Sequence, residues 1–284
     1  MYMTERSFLS LNTKHYQGNG VYEYKFNPSD FQDCTISLFS FAMNNSLFNI
    51  KEKYNNNKFS ITWIDNTVYN FVIPDGYYEF EDINTYIEQQ CLLNGLYLTK
   101  DSGTKTIFFI SLSTNPSSYK TQIDTYAVPT SSQASTLGYS KPSSAWSYPT
   151  IATTPQITFS TGLLEMLGMT VNTTFPPAQL STDYTYLSDT YPKLLKIFAM
   201  FIACNMCDSK LNIHPRILTQ IPISVKYGSL INVSNTMLSQ LPIRSGQYDS
   251  VRIELLDQDY NPLELNDPEF SLVLLIEKKL KQKN

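Results

Sequence analysis

The sequence predicts a mainly β protein, an antiparallel jelly-roll-type sandwich split by a small α+β insertion, and three observations point that way. Short alternating segments separated by turn signals occupy both ends of the 284-residue chain. Around residues 79–91 the period of the apolar residues changes from strand-like to helical. Between those ends, a stretch rich in Ser, Thr, Pro and Tyr separates the two strand-rich blocks.

In chain order, Val21-Tyr22-Glu23-Tyr24-Lys25-Phe26 and Thr35-Ile36-Ser37-Leu38-Phe39-Ser40-Phe41 read as half-buried strands around the Asn27-Pro28-Ser29-Asp30 turn signal. After a polar run over 51–57, Phe59 to Ile64 and Val68 to Ile73 form a hairpin across Asp65-Asn66, a pair that tolerates positive φ. Pro74-Asp75-Gly76 stops the strand. Phe80, Ile83, Ile87 and Cys91 then fall on one helical face, and Asn94-Gly95 supplies the stop. Thr106 to Leu112 returns to strand composition.

From Ser113 to Pro155 the composition predicts long surface loops in place of a second core, with only Gln122 to Val128 strand-like. Ile157-Thr158-Phe159 leads into a short apolar helix closed by Gly168, and Pro176-Pro177 marks a boundary. The last hundred residues are strand-like again: Leu194 to Met206, Ile217 to Tyr227, Ser229 to Val233, Ser250 to Leu256 and Phe270 to Glu277. This order predicts three segments: 1–57 with the first sandwich strands, 58–184 as an α+β insertion with long loops, and 185–284 completing the sandwich. The jelly roll is the commonest eight-strand version of such a fold.

Composition narrows the function. The net charge of −4 and pI near 5.3 argue against a duplex nucleic-acid binder, which needs clustered cations to displace counterions. The first residues carry no basic stretch followed by an apolar run, and the longest apolar run, 197–204, is too short to span a membrane, so a soluble protein made in the cytosol is expected. Four dispersed cysteines, Cys34, Cys91, Cys204 and Cys207, read as small buried hydrophobes.

Candidate chemistry is sparse, and no catalytic, cofactor or metal site is expected. Only His15 and His214 could serve as an imidazole base, one in a polar segment and one before a proline. Cys204-Asn205-Met206-Cys207 has the spacing of half a zinc site, but no second close pair exists, and an extended strand would point the thiols to opposite faces. Asp257-Gln258-Asp259-Tyr260-Asn261 imitates the start of a calcium loop, yet Pro262 stands where glycine is required. Asp75, Glu79, Glu81 and Asp82 complement a helix N-terminus. The cationic tail Lys278, Lys279, Lys281 and Lys283 reads as a solvated chain end in preference to a nucleic-acid contact.

Ile73-Pro74-Asp75-Gly76-Tyr77-Tyr78 opening a helix with Asp82-Ile83-Asn84 and Tyr86-Ile87, then Gly162-Leu163-Leu164-Glu165-Met166-Leu167-Gly168, and finally Val251 to Asp257 with Leu263-Glu264-Leu265, occur in a telling order. Together they resemble the penton, or minor capsid, proteins of virophages and Polinton (Maverick)-like viruses. The resemblance implies a non-enzymatic virion protein with a single upright jelly roll. It further implies a homopentamer at the fivefold vertices beside a double-jelly-roll major capsid protein. The insertion would then project outward and offer a surface to a host receptor or a fibre. A receptor- or glycan-binding spike or adhesin is the alternative, on the strength of the Tyr- and Ser/Thr-rich loops from Ser113 to Thr190.

Overall fold

The computed structural model describes residues 3–142, 146–170, 173–208, 216–234 and 240–280. It is mainly antiparallel β and divides into two compact units, Met1–Leu47 with Ile197–Asn284, and Phe48–Lys196.

The first unit is built from eight strands of five to eleven residues: β1 (Met3–Asn12), β2 (Val21–Phe31), β3 (Cys34–Asn44), β4 (Ala199–Cys204), β5 (Ile217–Pro222), β6 (Leu230–Ser234), β7 (Gly246–Leu256) and β8 (Phe270–Leu280). One sheet runs β1-β8-β3-β6 and the other β5-β4-β7-β2, all antiparallel. Each sheet thus alternates one of the first four strands with one of the last four. Two interlocked Greek keys of this kind make a jelly roll.

The alternation of the strands explains the core. Ile36, Leu38, Leu272, Leu274 and Ile276 from the first sheet meet Tyr22, Val251, Ile253, Leu255, Met200 and Ile202 from the second in one cluster. At Phe39 the inward set of β3 shifts from Ile36 and Leu38 to Phe41 and Met43; the register against β8 slips at Val273/Leu274, and the bulge absorbs the extra residue. Tyr22 is fully buried, stacks on Phe270 at 3.8 Å and donates its hydroxyl to the Pro268 carbonyl at 2.9 Å, which satisfies its one polar atom inside the core.

The second unit uses shorter strands. The hairpin Lys58–Thr62 and Val68–Val72 forms across a loop in which Asn66 has φ 65°, and Gln156–Phe159 and Thr174–Phe175 extend its sheet. A three-stranded sheet joins Ile110–Thr114, Thr121–Thr125 and Tyr184–Leu187. Helix α1 (Phe80–Leu93) buries Phe80, Ile83, Ile87 and Cys91 and ends at Gly95, φ 69°, where Leu96 N–H returns to the Cys91 carbonyl at 2.8 Å. Two short helices follow, α2 (Ser131–Thr136) and α3 (Thr161–Met166).

Several expectations are corrected here. The Ser/Thr/Pro-rich stretch 113–155 does contribute to a second core: Ile123, Val128 and Trp146 are buried with Trp63, Ile83 and Phe175. Trp146 is fixed there by its indole N–H, which donates to the Gly95 carbonyl at 2.7 Å. Contact boundaries fall at 47/48 and 196/197, where 57/58 and 184/185 were expected. The polar run after Phe48 is tied into the second unit, with Asn49 Nδ2 on the Tyr78 carbonyl and Asn56 Nδ2 on the Asn49 carbonyl. At the other boundary, Tyr184–Leu187 pairs with Thr121–Thr125, and Lys193 N–H binds the Met166 carbonyl. The strand expected over 194–206 is confined to β4, buried on both faces.

Candidate assembly surface

The outer face of the β1-β8-β3-β6 sheet carries an arrangement that the fold alone does not require. Leu275 of β8 points away from the sandwich core, yet it is only 2% exposed. Phe8 of β1 lies directly opposite it in register, and Ser37 of β3 flanks it on the other side. The Phe8 and Phe39 rings meet edge to face with centroids 5.1 Å apart and remain 59% and 42% exposed. Beside them, Glu277 is nearly buried; Arg6 binds it at 2.6 Å and Gln240 donates to its second oxygen. An aromatic centre bordered by a satisfied ion pair has the make-up of a protein contact, with apolar middle and polar rim.

Among the described residues, those singled out for chemistry are not brought together, apart from Cys204 and Cys207. His15 closes a turn: its Nδ1 accepts the Asn12 N–H at 3.0 Å, and its ring lies edge-on to Tyr24. His214 lies outside the described residues, as do Lys281 and Lys283. Lys278 is part of β8, which runs three residues further than the expected strand end at Glu277 and pairs Lys278 with Glu5 and Cys34. The Asp257 segment is a turn whose carboxylate is occupied by the chain itself: Asp257 Oδ1 accepts the N–H groups of Asp259 and Asn261 at 2.8 and 2.9 Å. Asp82 accepts the Glu79 N–H at the start of α1, and Asp75 accepts the Glu52 N–H, both at helix starts. Burial pushes the Cys91 thiol up to about 12.

One expectation about the cysteines is overturned. β4 ends at Cys204, and the chain turns through Asn205-Met206, with Cys207 N–H on the Cys204 carbonyl at 3.2 Å. The thiols therefore do not point to opposite faces of a continuing strand. Both are buried in the sandwich core. Among the described residues, no three or more His, Cys, Asp or Glu side chains gather in a group able to hold a metal, and no helix is long and apolar enough to cross a membrane.

No protein-family model matches the chain, and no curated protein does. Among solved structures, the chain is similar to the selenomethionine-labelled mavirus penton protein at 14% identity and a TM-score of 0.46, covering 99% of this chain and 100% of that one. It is also similar to a chain in the cryo-EM structure of the Sputnik virophage, at 11% identity and a TM-score of 0.43, covering 96% of this chain and 98% of that one.

Proposed function

We propose that this chain is a structural capsid subunit that acts by self-assembly, forming homopentamers at the fivefold vertices of an icosahedral particle beside a larger major capsid protein. The outer sheet face carries this reading. A single jelly roll already buries its own core, so the Phe8–Phe39 pair over Leu275 is surplus to folding and has the chemistry of a subunit contact. The strand order and the sequence resemblance to virophage and Polinton-like penton proteins support the same role. Closing a ring takes a heterologous contact, one face of each copy against a different face of the next.

Light scattering coupled to size exclusion tests it on the purified chain. The expected species has five times the 32.5 kDa chain mass, and Phe8→Glu returns it to monomer; a strictly monomeric wild type at every concentration overturns it.

A second reading, recognition of a glycan or receptor by the second unit, is favoured by Tyr119 and Tyr191, both well exposed, since aromatic faces stack on sugars. Selective signals on a glycan array, lost on Tyr119→Ala and Tyr191→Ala, would support it; a blank array would remove its glycan form.

A further inference from the structure

Cys204 and Cys207 are held in a geometry that packing alone does not demand. The turn between them is closed by the 3.2 Å hydrogen bond from Cys207 N–H to the Cys204 carbonyl. Residues at the two ends of a β-turn have Cα atoms less than about 7 Å apart, and disulfides span Cα separations of about 4.4–6.8 Å. A turn of this kind places its end residues where a bridge can form.

The turn is also clasped to both sheets. On the second sheet, Asn205 N–H binds the Arg252 carbonyl at 3.0 Å, Arg252 N–H binds Asn205 Oδ1 at 2.9 Å, and Asn205 Nδ2 reaches the Ser250 carbonyl at 3.2 Å. Towards the first sheet, Arg244 N–H binds the Met206 carbonyl at 3.0 Å and Cys207 bridges to Ile243, whose N–H binds the Cys34 carbonyl of β3 at 2.9 Å. Residues 204–208 therefore fasten one end of the sandwich, and their conformation is fixed from two sides.

The two thiols touch each other as well as the core. The Cys207 thiol donates to the Cys204 sulfur, which lowers the Cys204 pKa; burial opposes this, and the Met206 and Cys207 N–H groups add to it. The same contact, then burial, pushes Cys207 up. Cys204 is thus the sulfur that ionises first, with a second thiol in contact to resolve whatever forms on it.

We propose that Cys204 and Cys207 are a redox modification site: a dithiol that hydrogen peroxide converts to an intrachain disulfide, locking the clasp between the two sheets. The Cys204 thiolate attacks one peroxide oxygen; the O–O bond breaks, and the departing hydroxide takes the proton that Cys204 released, leaving as water. Cys204 is now a sulfenic acid. The Cys207 sulfur attacks the Cys204 sulfur, the S–O bond breaks, and the departing hydroxide takes the Cys207 proton as a second water. Two thiols and one peroxide give one disulfide and two waters. The site does not depend on the assembly state of the chain.

The test uses the full chain treated with hydrogen peroxide, then denatured, alkylated and digested with trypsin. The fragment 197–210 carries both cysteines. It is expected two hydrogens lighter and unalkylated, restored by dithiothreitol, with Cys34 and Cys91 alkylated throughout. Tm of the oxidised protein is expected to rise by a few degrees. In Cys207→Ser, peroxide should leave a dimedone-reactive sulfenic acid on Cys204, while Cys204→Ser should leave Cys207 unlabelled. Should either variant fail to fold, the wild-type digest decides by itself. Alkylation of both cysteines after peroxide, separate over-oxidation of each, or a bridge from either one to Cys34 overturns the proposal.

Discussion

The two units of this chain are closed in opposite ways. The sandwich is assembled from the two ends: Met3 pairs with Leu280, and the β1-β8 ladder spans nearly the whole sequence. The unit 48–196 is continuous, and its first sheet begins with a hairpin closed over a five-residue loop. Non-local pairing costs loop entropy before any contact compensates for it. The sandwich can therefore form only once β8 has been made, whereas the other unit holds most of its closing contacts within its own span. Both tryptophans, Trp63 and Trp146, lie in the second core. Indole fluorescence consequently reports one unit and is silent on the other.

That asymmetry makes the units separable by experiment. Leu274→Ala removes a fully buried side chain from the sandwich core; it should cost about 3–4 kcal/mol. Far-UV circular dichroism should follow the loss, while the tryptophan transition stays at its wild-type denaturant midpoint. If both signals move together, the two cores unfold as one. The reverse experiment is Gly168→Ala. Gly168 has φ 77°, and a Cβ there would stand 2.4 Å from the Thr190 carbonyl oxygen. A cost of about 2 kcal/mol or more is expected, seen this time in the tryptophan transition.

The same contrast decides what could be read from the sequence. Helix α1 was legible because Phe80, Ile83, Ile87 and Cys91 repeat at helical spacing and Gly95 ends them; the hairpin before it was legible because Asn66 accepts positive φ. These are local signals. Strand β1 was missed because only Leu9 and Leu11 alternate inward in the described part of it, and its partner β8 is at the far end of the chain. Trp146 reads as part of a surface loop because an indole anchored by one hydrogen bond to Gly95 leaves no period in the neighbouring residues. Of the candidate surface, Phe39 was visible as a strand residue, but the Phe8–Phe39 contact requires the β1-β8-β3 order, which no local pattern specifies. The thiol pair is hidden for a related reason: a strand read through to Met206 conceals the turn that brings Cys204 and Cys207 together.

Alkaline pH should separate the units more gently. Tyr186 of the second unit is pushed up to about 12 by burial, by its hydrogen bond to the Asp189 carboxylate and by that carboxylate's charge. A tyrosine with a raised folded-state pKa favours folding while it is neutral. Its contribution is complete below the ordinary value of about 10 and disappears as pH rises towards about 12. The tryptophan-reported Tm should fall through that window, and Tyr186→Phe should flatten the fall. In the sandwich, burial raises Tyr22 further, so its phenolate should appear later in an absorbance titration. An unchanged slope in Tyr186→Phe would assign the alkaline loss to other groups.

The smallest expected effect on the fold is at Phe8, and there the comparison becomes one between folding and assembly. Its ring is mostly exposed and its defined aromatic partner is Phe39, so Phe8→Ser should lower sandwich stability by about 0.5–1 kcal/mol. If the outer face of the first sheet is a subunit contact, the same substitution should abolish the large species in light scattering while the circular dichroism spectrum stays native. Tyr119→Ser, in the second unit, serves as the control: it removes a comparably exposed aromatic side chain and should leave the mass unchanged. Loss of assembly in Phe8→Ser alone would place the contact on the sandwich. Loss in Tyr119→Ser alone would move it to the insertion and leave the Phe8–Phe39 pair without an assembly role.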